Sequence, residues 1–309
     1  MAQLKIVTGA GPVGWTVATQ LAEAGHRVRV LTRSGSGPEH GLIERVRADA
    51  SGAQDLTPLL EGADAVFHCI HGSSYSAATW QRELPKAEAA VLDAAGAAGA
   101  VVVFPESLYS YSRPESPMLE DGPRDAAGGK RGVRTQMLAA RAAHATPTIS
   151  VVASDFFGPQ VLNAHAGERM VPAVLAGKRI SVVASTSTPH SFTYISDLAA
   201  AMIKAAAMPE LWNSVLHAPT GPAVTQAQLA GAFATAAGVA PPKIGAIPAW
   251  FVRAAGIFSP GIRELGETLY QFERPFVMDS ARSQQLLDLA PTTLTEAALA
   301  TVQWWRARA

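Results

Sequence analysis

The chain has 309 residues, of which 48% are hydrophobic and only 16% are charged, so one large domain or two modest ones can bury a substantial core. Its 25 basic and 25 acidic side chains balance to a formal charge of zero, which gives nucleic acid no basic surface to bind. A single cysteine excludes an internal disulfide and a cysteine-rich metal site.

The first predicted strand, at residues 4–8, leads into a glycine-rich turn. Gly9, Gly11 and Gly14 have the Gly-x-Gly-x-x-Gly spacing, and a helical pattern follows at residues 13–24. In a dinucleotide-binding turn the first glycine allows a tight bend and the second admits the pyrophosphate. The third lets the helix pack against its strand, and the helix N-terminus faces the phosphates. The strand–turn–helix context therefore predicts a dinucleotide site, to which Thr8, Pro12 and Val13 also contribute.

The second predicted strand, at residues 26–31, ends in Thr32-Arg33-Ser34. An NAD site usually has an acidic residue here to bind both ribose hydroxyls. An arginine between two hydroxyl side chains suits a 2′-phosphate instead. The sequence therefore predicts a preference for NADP(H), with NAD(H) as the second possibility. A third strand at residues 42–48 ends at Asp49, which we place beside the same cofactor.

Apolar strands and helices alternate through the rest of the first half. We predict a helical turn at 56–60, a strand at 63–70 and a helix at 75–98 interrupted near Pro85. A strand at 100–104, a helix at 132–144 and a strand at 148–153 follow. Uniformly apolar strands separated by helices indicate a parallel sheet covered on both faces. The predicted fold class is α/β, a Rossmann-type doubly wound parallel sheet with a smaller C-terminal substrate lobe.

The sequence pattern changes after residue 153, where prolines and glycines recur and the predicted strands and helices become short. We expect helices at 196–207, 225–237, 250–258, 262–272 and 293–306. The predicted domains are a dinucleotide-binding domain at 1–153 and a mixed substrate lobe at 154–309. Segments around 191–218 would return to the sheet. A ligand would then lie in the crevice between the two lobes.

Five segments of the chain form a set of ordered motifs: Thr8-Gly-Ala-Gly-Pro-Val-Gly14, Asp64-Ala-Val-Phe-His-Cys69, Phe104-Pro-Glu-Ser-Leu-Tyr-Ser-Tyr111, Ser154-Asp-Phe-Phe-Gly-Pro159 and Ser191-Phe-Thr-Tyr-Ile-Ser-Asp-Leu198. Together they resemble the extended short-chain dehydrogenases/reductases of the NAD-dependent epimerase/dehydratase family, in an atypical branch. The resemblance covers nearly the whole chain. It is specific for the fold and much less so for the reaction.

The resemblance implies that Ser107 takes part in acid–base chemistry, but the family's Tyr-x-x-x-Lys pair is absent. The expected helix contains no tyrosine and carries Lys130 and Arg134 at the same four-residue spacing, on one helix face. Lys130 could donate or accept a proton beside the permanently charged guanidinium. Tyr109 and Tyr111 are alternative acids. The other interpretation is a solvated basic helix start that contacts the cofactor phosphate or nothing.

The resemblance also places further residues near the ligands. Cys69, Ile70 and His71 would pack against the cofactor. The predicted substrate residues are Asp155, Phe156, Phe157, Asn163 and His190. His68 and His71 beside Cys69 have a spacing that metal ligands can show, but they end a buried strand and no further ligands cluster nearby. We therefore predict no metal.

The resulting expectation is an NADP(H)-dependent oxidoreductase or epimerase-like enzyme acting on a small carbonyl or polar metabolite. Two alternatives stay open: an NAD-dependent nucleotide-sugar epimerase or dehydratase, and a non-catalytic protein that senses NADP(H). The first strand begins at once and no apolar run reaches bilayer length, so we expect no signal peptide and no membrane partner. The single cysteine suits a cytoplasmic protein, as a monomer or homodimer.

Overall fold

The computed structural model describes residues 4–51 and 55–308, and its first half alternates strands with helices. In chain order these elements are β1 (Leu4–Thr8), α1 (Pro12–Glu23), β2 (Arg27–Thr32), β3 (Ile43–Arg47), α2 (Thr57–Leu60), β4 (Ala63–His68), α3 (Ala77–Ala98), β5 (Val101–Ser107), α4 (Gly129–Ala143) and β6 (Thr148–Ala153). A 3-10 turn at Leu108–Ser110 follows β5.

The second half has shorter elements. They are β7 (Asp155–Phe157), α5 (Val171–Leu175), β8 (Ile180–Val183), β9 (Phe192–Tyr194), α6 (Ile195–Ala206), β10 (Ser214–His217), α7 (Gln226–Ala237), β11 (Ile244–Ile247), α8 (Ala249–Phe258), α9 (Pro260–Gly266), α10 (Tyr270–Glu273), α11 (Ala281–Leu287) and α12 (Leu294–Arg308). Two small parallel sheets, β7 with β9 and β8 with β11, lie here.

The central sheet has seven parallel strands in the order β10-β6-β5-β4-β1-β2-β3. Strand order reverses between β1 and β4, the switch point at which doubly wound sheets bind ligands. The inner strands β1, β4 and β5 are rich in apolar residues because both faces of the sheet are covered there: Ile6, Val66 and Val102 are completely buried. The predicted Rossmann-type doubly wound fold is confirmed.

By internal contacts the chain forms two compact units. Unit 1 comprises Met1–Ser110, Arg124–Val152 and Leu198–Ala218, and so contains the central sheet. Unit 2 comprises Tyr111–Pro123, Ala153–Asp197 and Pro219–Ala309. Its core is built around Phe157, Phe192 and Phe233, with α12 contributing Trp305. Within the described residues no helix has both the length and the apolar character needed to cross a bilayer.

The predicted interruption of the third helix at Pro85 is wrong. Helix α3 runs without a break from Ala77 to Ala98 and contains Pro85. A proline inside a helix removes one hydrogen bond, which would have gone to the carbonyl of Gln81. Both residues are exposed. Water can therefore satisfy that carbonyl, and the apolar face of the helix stays packed on the sheet.

The predicted helix at 262–272 is also wrong in its extent. It divides into α9, which ends at Gly266, and the single turn α10. Glycine has a low helix propensity because the helix must restrict its free backbone, so it is a natural place for α9 to end.

Candidate functional site

The glycine turn between β1 and α1 is shaped by contacts with the end of β4. Gly9 has φ +87°, and a Cβ built there would lie 3.0 Å from the Cys69 carbonyl oxygen. A Cβ at Gly14 would collide with the Gly9 carbonyl oxygen and approach the Cys69 side chain to 3.2 Å. The first and third glycines are therefore required by the fold itself, because any side chain would push the turn away from its strand.

Gly11 differs from the other two glycines of the turn. It is the N-cap of α1 with φ −67°, and no atom lies within 4 Å of a Cβ built there. Neither backbone strain nor a neighbouring protein group requires a glycine at this position. The space beside Gly11 is where a phosphate would meet the backbone N–H groups at the start of the helix.

The structure brings the other residues predicted for the cofactor to the same edge of the sheet. The Cys69 N–H donates to the Thr8 carbonyl, and the Ile70 side chain lies 3.3 Å from a Cβ built on Gly9. The partly buried position of Cys69 raises the pKa of its thiol, so this group stays protonated and is no nucleophile. His71 packs edge-on against Trp80, with ring centroids 4.8 Å apart.

The residues predicted to recognise the ribose lie at the ends of β2 and β3. Arg33 and Ser34 are exposed, and Thr32 Oγ1 donates to the Ser36 carbonyl at 2.9 Å. Hydrogen bonds from Ser51 lower the pKa of the Asp49 carboxyl, and the charge of Arg33 adds to the effect. Arg33 is therefore close enough to Asp49 for its charge to lower the pKa of that carboxyl.

Ser107, at the end of β5, is held by the residue before it. Its N–H donates to Glu106 Oε1 at 2.7 Å, and its Oγ lies 3.3 Å from the same oxygen. Arg134 Nη1 is 3.5 Å from Glu106 Oε1, and Arg141 Nη1 donates to Oε2 at 2.8 Å. Burial by itself raises the pKa of Glu106, but the two guanidinium charges and the hydrogen bonds outweigh it and lower the pKa.

Lys130 and Arg134 both project from the first turns of α4, as their spacing predicts. The Lys130 side chain is completely buried, and its Nζ lies 4.5 Å from the centroid of the Tyr75 ring. Arg134 is only 8% exposed, and its guanidinium lies 4.9 Å from the Trp80 ring. The two residues are thus not a solvated helix start, because both charges lie inside unit 1 against aromatic rings.

Tyr75 was not expected at the site, since the sequence pattern placed it in the first turn of a helix. It precedes the N-cap Ser76 and lies on the loop between β4 and α3. Its hydroxyl is 2.6 Å from the Tyr109 hydroxyl. The only sequence signal is that Tyr75 and Tyr109 follow neighbouring strands of the sheet, whose carboxyl ends share one edge.

The residues predicted to contact substrate lie in unit 2, where two of them meet. His190 Nε2 lies 3.0 Å from Asp155 Oδ2, while His190 Nδ1 contacts the Gln271 carbonyl at 3.0 Å. Burial raises the pKa of Asp155, but His190 and then His165 more than offset it, so the pKa is lowered. Since a carbonyl only accepts hydrogen bonds, Nδ1 carries a proton and Nε2 faces the carboxylate.

The other residues predicted for catalysis and substrate contact are more scattered in unit 2. Phe157 is 3% exposed in the core, and Phe156 is half-buried. Asn163 is exposed. Tyr111, one of the alternative acids, is 1% exposed and packs against Gly122. No three His, Cys, Asp or Glu side chains in the described part of the chain are arranged to hold a metal.

His68, the last residue of β4, is a buried neutral histidine, and its burial predicts that the folded protein is less stable in acid. It is 3% exposed, and its Nδ1 is 2.8 Å from Thr8 Oγ1. Burial lowers its pKa to about 3, with the charges of Arg141 and Arg134 adding to the effect. In the unfolded chain the pKa is about 6.5. Below that pH only the unfolded state binds the proton, so stability is full above about pH 6.5 and falls as the pH drops.

As the pH falls from roughly 6.5 to 4.5, protonation of His68 in the unfolded chain should lower the free energy of unfolding by about 2–3 kcal/mol. Urea unfolding at several pH values measures this loss. His68→Asn, which does not titrate, should show a shallower pH dependence by that amount. An equal slope in both proteins would contradict the assignment.

This geometry describes a Rossmann-fold protein with open space beside Gly11 and a polar cluster at the same sheet edge. A model of the NAD-dependent epimerase/dehydratase family matches residues 6–214. The chain belongs to that family, as its sequence motifs indicate. None of the curated proteins compared with the chain matches it.

Solved structures share the fold over the full length of the chain. The Bordetella bronchiseptica enzyme WbmH in complex with NAD⁺ has a TM-score of 0.76 at 18% identity and covers 100% of both chains. The UDP-glucuronic acid 4-epimerase from Bacillus cereus, with NAD, has a TM-score of 0.75 at 16% identity, covering 98% of this chain and 96% of that one. The Thermotoga maritima UDP-glucose 4-epimerase, with UDP-glucose, reaches 0.76 at 17% identity and covers 99% of each.

Proposed function

We propose that the chain is an enzyme that binds a nicotinamide dinucleotide at the glycine turn and oxidises or reduces a small polar metabolite. The observation that carries the proposal is Gly11, a glycine that no contact of the protein itself requires. The turn backbone from Gly9 to Gly14 would hold the pyrophosphate, with residues 69–71 beside it. A bound nicotinamide dinucleotide supplies the donor or acceptor of a hydride.

The residues after β5 and on α4 would handle the proton. Ser107 has its hydroxyl directed to the ionised Glu106, so its oxygen can accept a hydrogen bond from a substrate hydroxyl. We propose that Lys130 and Arg134 take part in the proton transfer in place of the family's tyrosine–lysine pair, with Tyr109 or Tyr111 as alternative acids. Asp155 and His190 of unit 2, with Phe156, Phe157 and Asn163, remain our candidates for substrate contacts.

Gly11→Val tests the cofactor site. A branched side chain would fill the space that a phosphate needs, while nothing in the protein obstructs it. We expect the variant to lose NADPH and NADH binding in calorimetry and to keep its far-ultraviolet circular dichroism.

Gly41→Val is the matched control, because a Cβ at Gly41 also meets no atom within 4 Å. It should bind dinucleotide as the wild type does. Normal binding by Gly11→Val would place the phosphate site elsewhere and refute the proposal.

We further propose that NADP(H) is preferred to NAD(H), on the basis of Arg33 at the end of β2. A charge-assisted contact to the 2′-phosphate contributes about 1.5–3 kcal/mol. Arg33→Ala should therefore weaken NADPH binding roughly ten- to a hundredfold and leave NADH binding nearly unchanged. Equal affinities of the wild type for both cofactors, unaffected by the substitution, would refute this preference.

A nucleotide-sugar epimerase or dehydratase using NAD is the second candidate. It is supported by the family and by the ligands named for the structural neighbours, which include NAD, UDP-glucose and UDP-glucuronic acid. Assays of NADPH consumption with aldehydes and ketones, beside epimerisation assays with UDP-sugars, separate the two. Binding of NADP(H) without turnover of any of these would favour a sensing protein.

We also propose that the protein is cytoplasmic, because a single cysteine suits a reducing compartment. We propose a monomer or a homodimer as its state of assembly.

A further inference from the structure

The loop at residues 71–76, which carries Tyr75, is held firmly on the first turns of α3. The N–H and hydroxyl of Ser73 both donate to the Glu83 carboxylate, at 2.9 and 2.8 Å. Trp80 Nε1 donates to the Ser74 carbonyl at 3.2 Å, and the Ser74 and Thr79 hydroxyls are 2.7 Å apart. The backbone on both sides of the tyrosine is thus fixed before any ligand binds.

Tyr75 and Tyr109, the phenol pair, share one hydrogen bond and one aromatic neighbour. Their oxygens are 2.6 Å apart, close to the short end of the range for hydroxyl hydrogen bonds. The Trp80 ring stacks on Tyr109 at 6.0 Å and meets Tyr75 edge-on at 5.5 Å. Tyr109 is half-buried and Tyr75 is 42% exposed, so one phenol of the pair faces solvent.

The buried ammonium of Lys130 places a positive charge beside the phenol pair. It lies 4.5 Å from the Tyr75 ring centroid, close enough for a cation–π contact. A positive charge at this distance stabilises a phenolate by Coulomb attraction. The second phenol adds a hydrogen bond to that phenolate, which stabilises it further. Lys130 itself is completely buried, whereas Tyr75 is 42% exposed.

We propose that Tyr75 is a catalytic residue, the proton donor and acceptor of the site, with Tyr109 and Lys130 as its positioning residues. The proposal rests on the proposed function. In the reducing direction the carbonyl carbon of the substrate gains a hydride from the reduced dinucleotide. The Tyr75 O–H bond breaks as its proton passes to the carbonyl oxygen, giving the alcohol and the oxidised dinucleotide. The phenolate then regains a proton from solvent, and oxidation runs the same steps in reverse.

A titration without cofactor or substrate tests the phenol pair directly. Phenolate formation is followed by near-ultraviolet absorbance in the wild type, which has five tyrosines, and in single variants. We expect Tyr75→Phe to remove the phenolate that forms first as the pH rises, and Tyr109→Phe to delay its formation because it removes the partner hydroxyl. Lys130→Met should delay its formation, and the control Tyr270→Phe should leave it in place. If that phenolate persists in Tyr75→Phe, the proposal is overturned.

Turnover provides the second readout, with a panel of aldehydes, ketones and UDP-sugars on the dinucleotide-loaded protein. We expect Tyr75→Phe to lower kcat about 10²–10⁴-fold while dinucleotide affinity holds, because it removes one oxygen and keeps the ring. The pH profile of the residual activity should lose its dependence on a phenol. Unchanged kcat in this variant would also overturn the proposal.

The titration and the turnover assay together distinguish a failure of this inference from a failure of the proposed function. If the wild type turns over none of the panel, the proposed function fails and the titration decides for or against the phenol pair. If Tyr75→Phe perturbs the fold, Tyr109→Phe decides instead, because it removes the partner oxygen from a different loop.

Discussion

Arg141→Met is expected to lower the free energy of unfolding by about 3–5 kcal/mol. Arg141 is 3% exposed and binds Glu88 through two hydrogen bonds, of 2.5 and 2.8 Å. It also donates to Glu106 Oε2 at 2.8 Å and to Ser150 Oγ at 2.9 Å. The substitution leaves two buried carboxylates without this cation, and a buried charge that loses its partner is strongly destabilising.

Urea unfolding of both proteins measures the effect. Arg82→Met is the control, since the Arg82 side chain is 66% exposed in a surface ion pair with Glu83 and should contribute little. Adding Glu88→Leu to Arg141→Met should recover part of the lost stability, because it removes one stranded carboxylate. Similar losses of stability from the buried and the surface substitution would show that the contacts of Arg141 with Glu88 and Glu106 do not stabilise unit 1.

Lys130→Met is expected to lower turnover about 10²–10⁴-fold once a substrate is identified, while NADPH affinity barely changes. Methionine has nearly the same length and fills a buried position without large gaps. The variant therefore removes the charge beside Tyr75 and largely preserves the packing. Measurement of kcat and KM over a pH range, beside calorimetry with NADPH, separates lost chemistry from lost binding.

Lys204→Met, on the exposed side of α6, serves as the control and should retain full activity. Full activity in Lys130→Met, with activity lost in Tyr109→Phe or Tyr111→Phe, would move the acid to the segment after β5 and refute the role of this lysine.

The sheet and the glycine turn could be predicted because their signals are local. Strands β1, β4, β5 and β6 are rich in buried apolar residues, and the glycine turn is a six-residue pattern that follows a strand and begins a helix. Pro85 misled the prediction because a helix can continue through a proline where the packing of its buried face outweighs the cost of the lost hydrogen bond. Exposure at Pro85 is a property of the fold.

The interior of the site depends on residues far apart in the chain. Tyr75 and Tyr109 are separated by 34 positions, and Arg141 and Glu88 by 53. The sequence alone determined that Lys130 and Arg134 share a helix face, because helix periodicity settles this. Only the tertiary structure decided that the lysine is buried against Tyr75 and that Glu106 pairs with two arginines. Burial and charge pairing arise when helices and strands that are far apart in the chain pack against one another, and no local pattern records which side chains meet there.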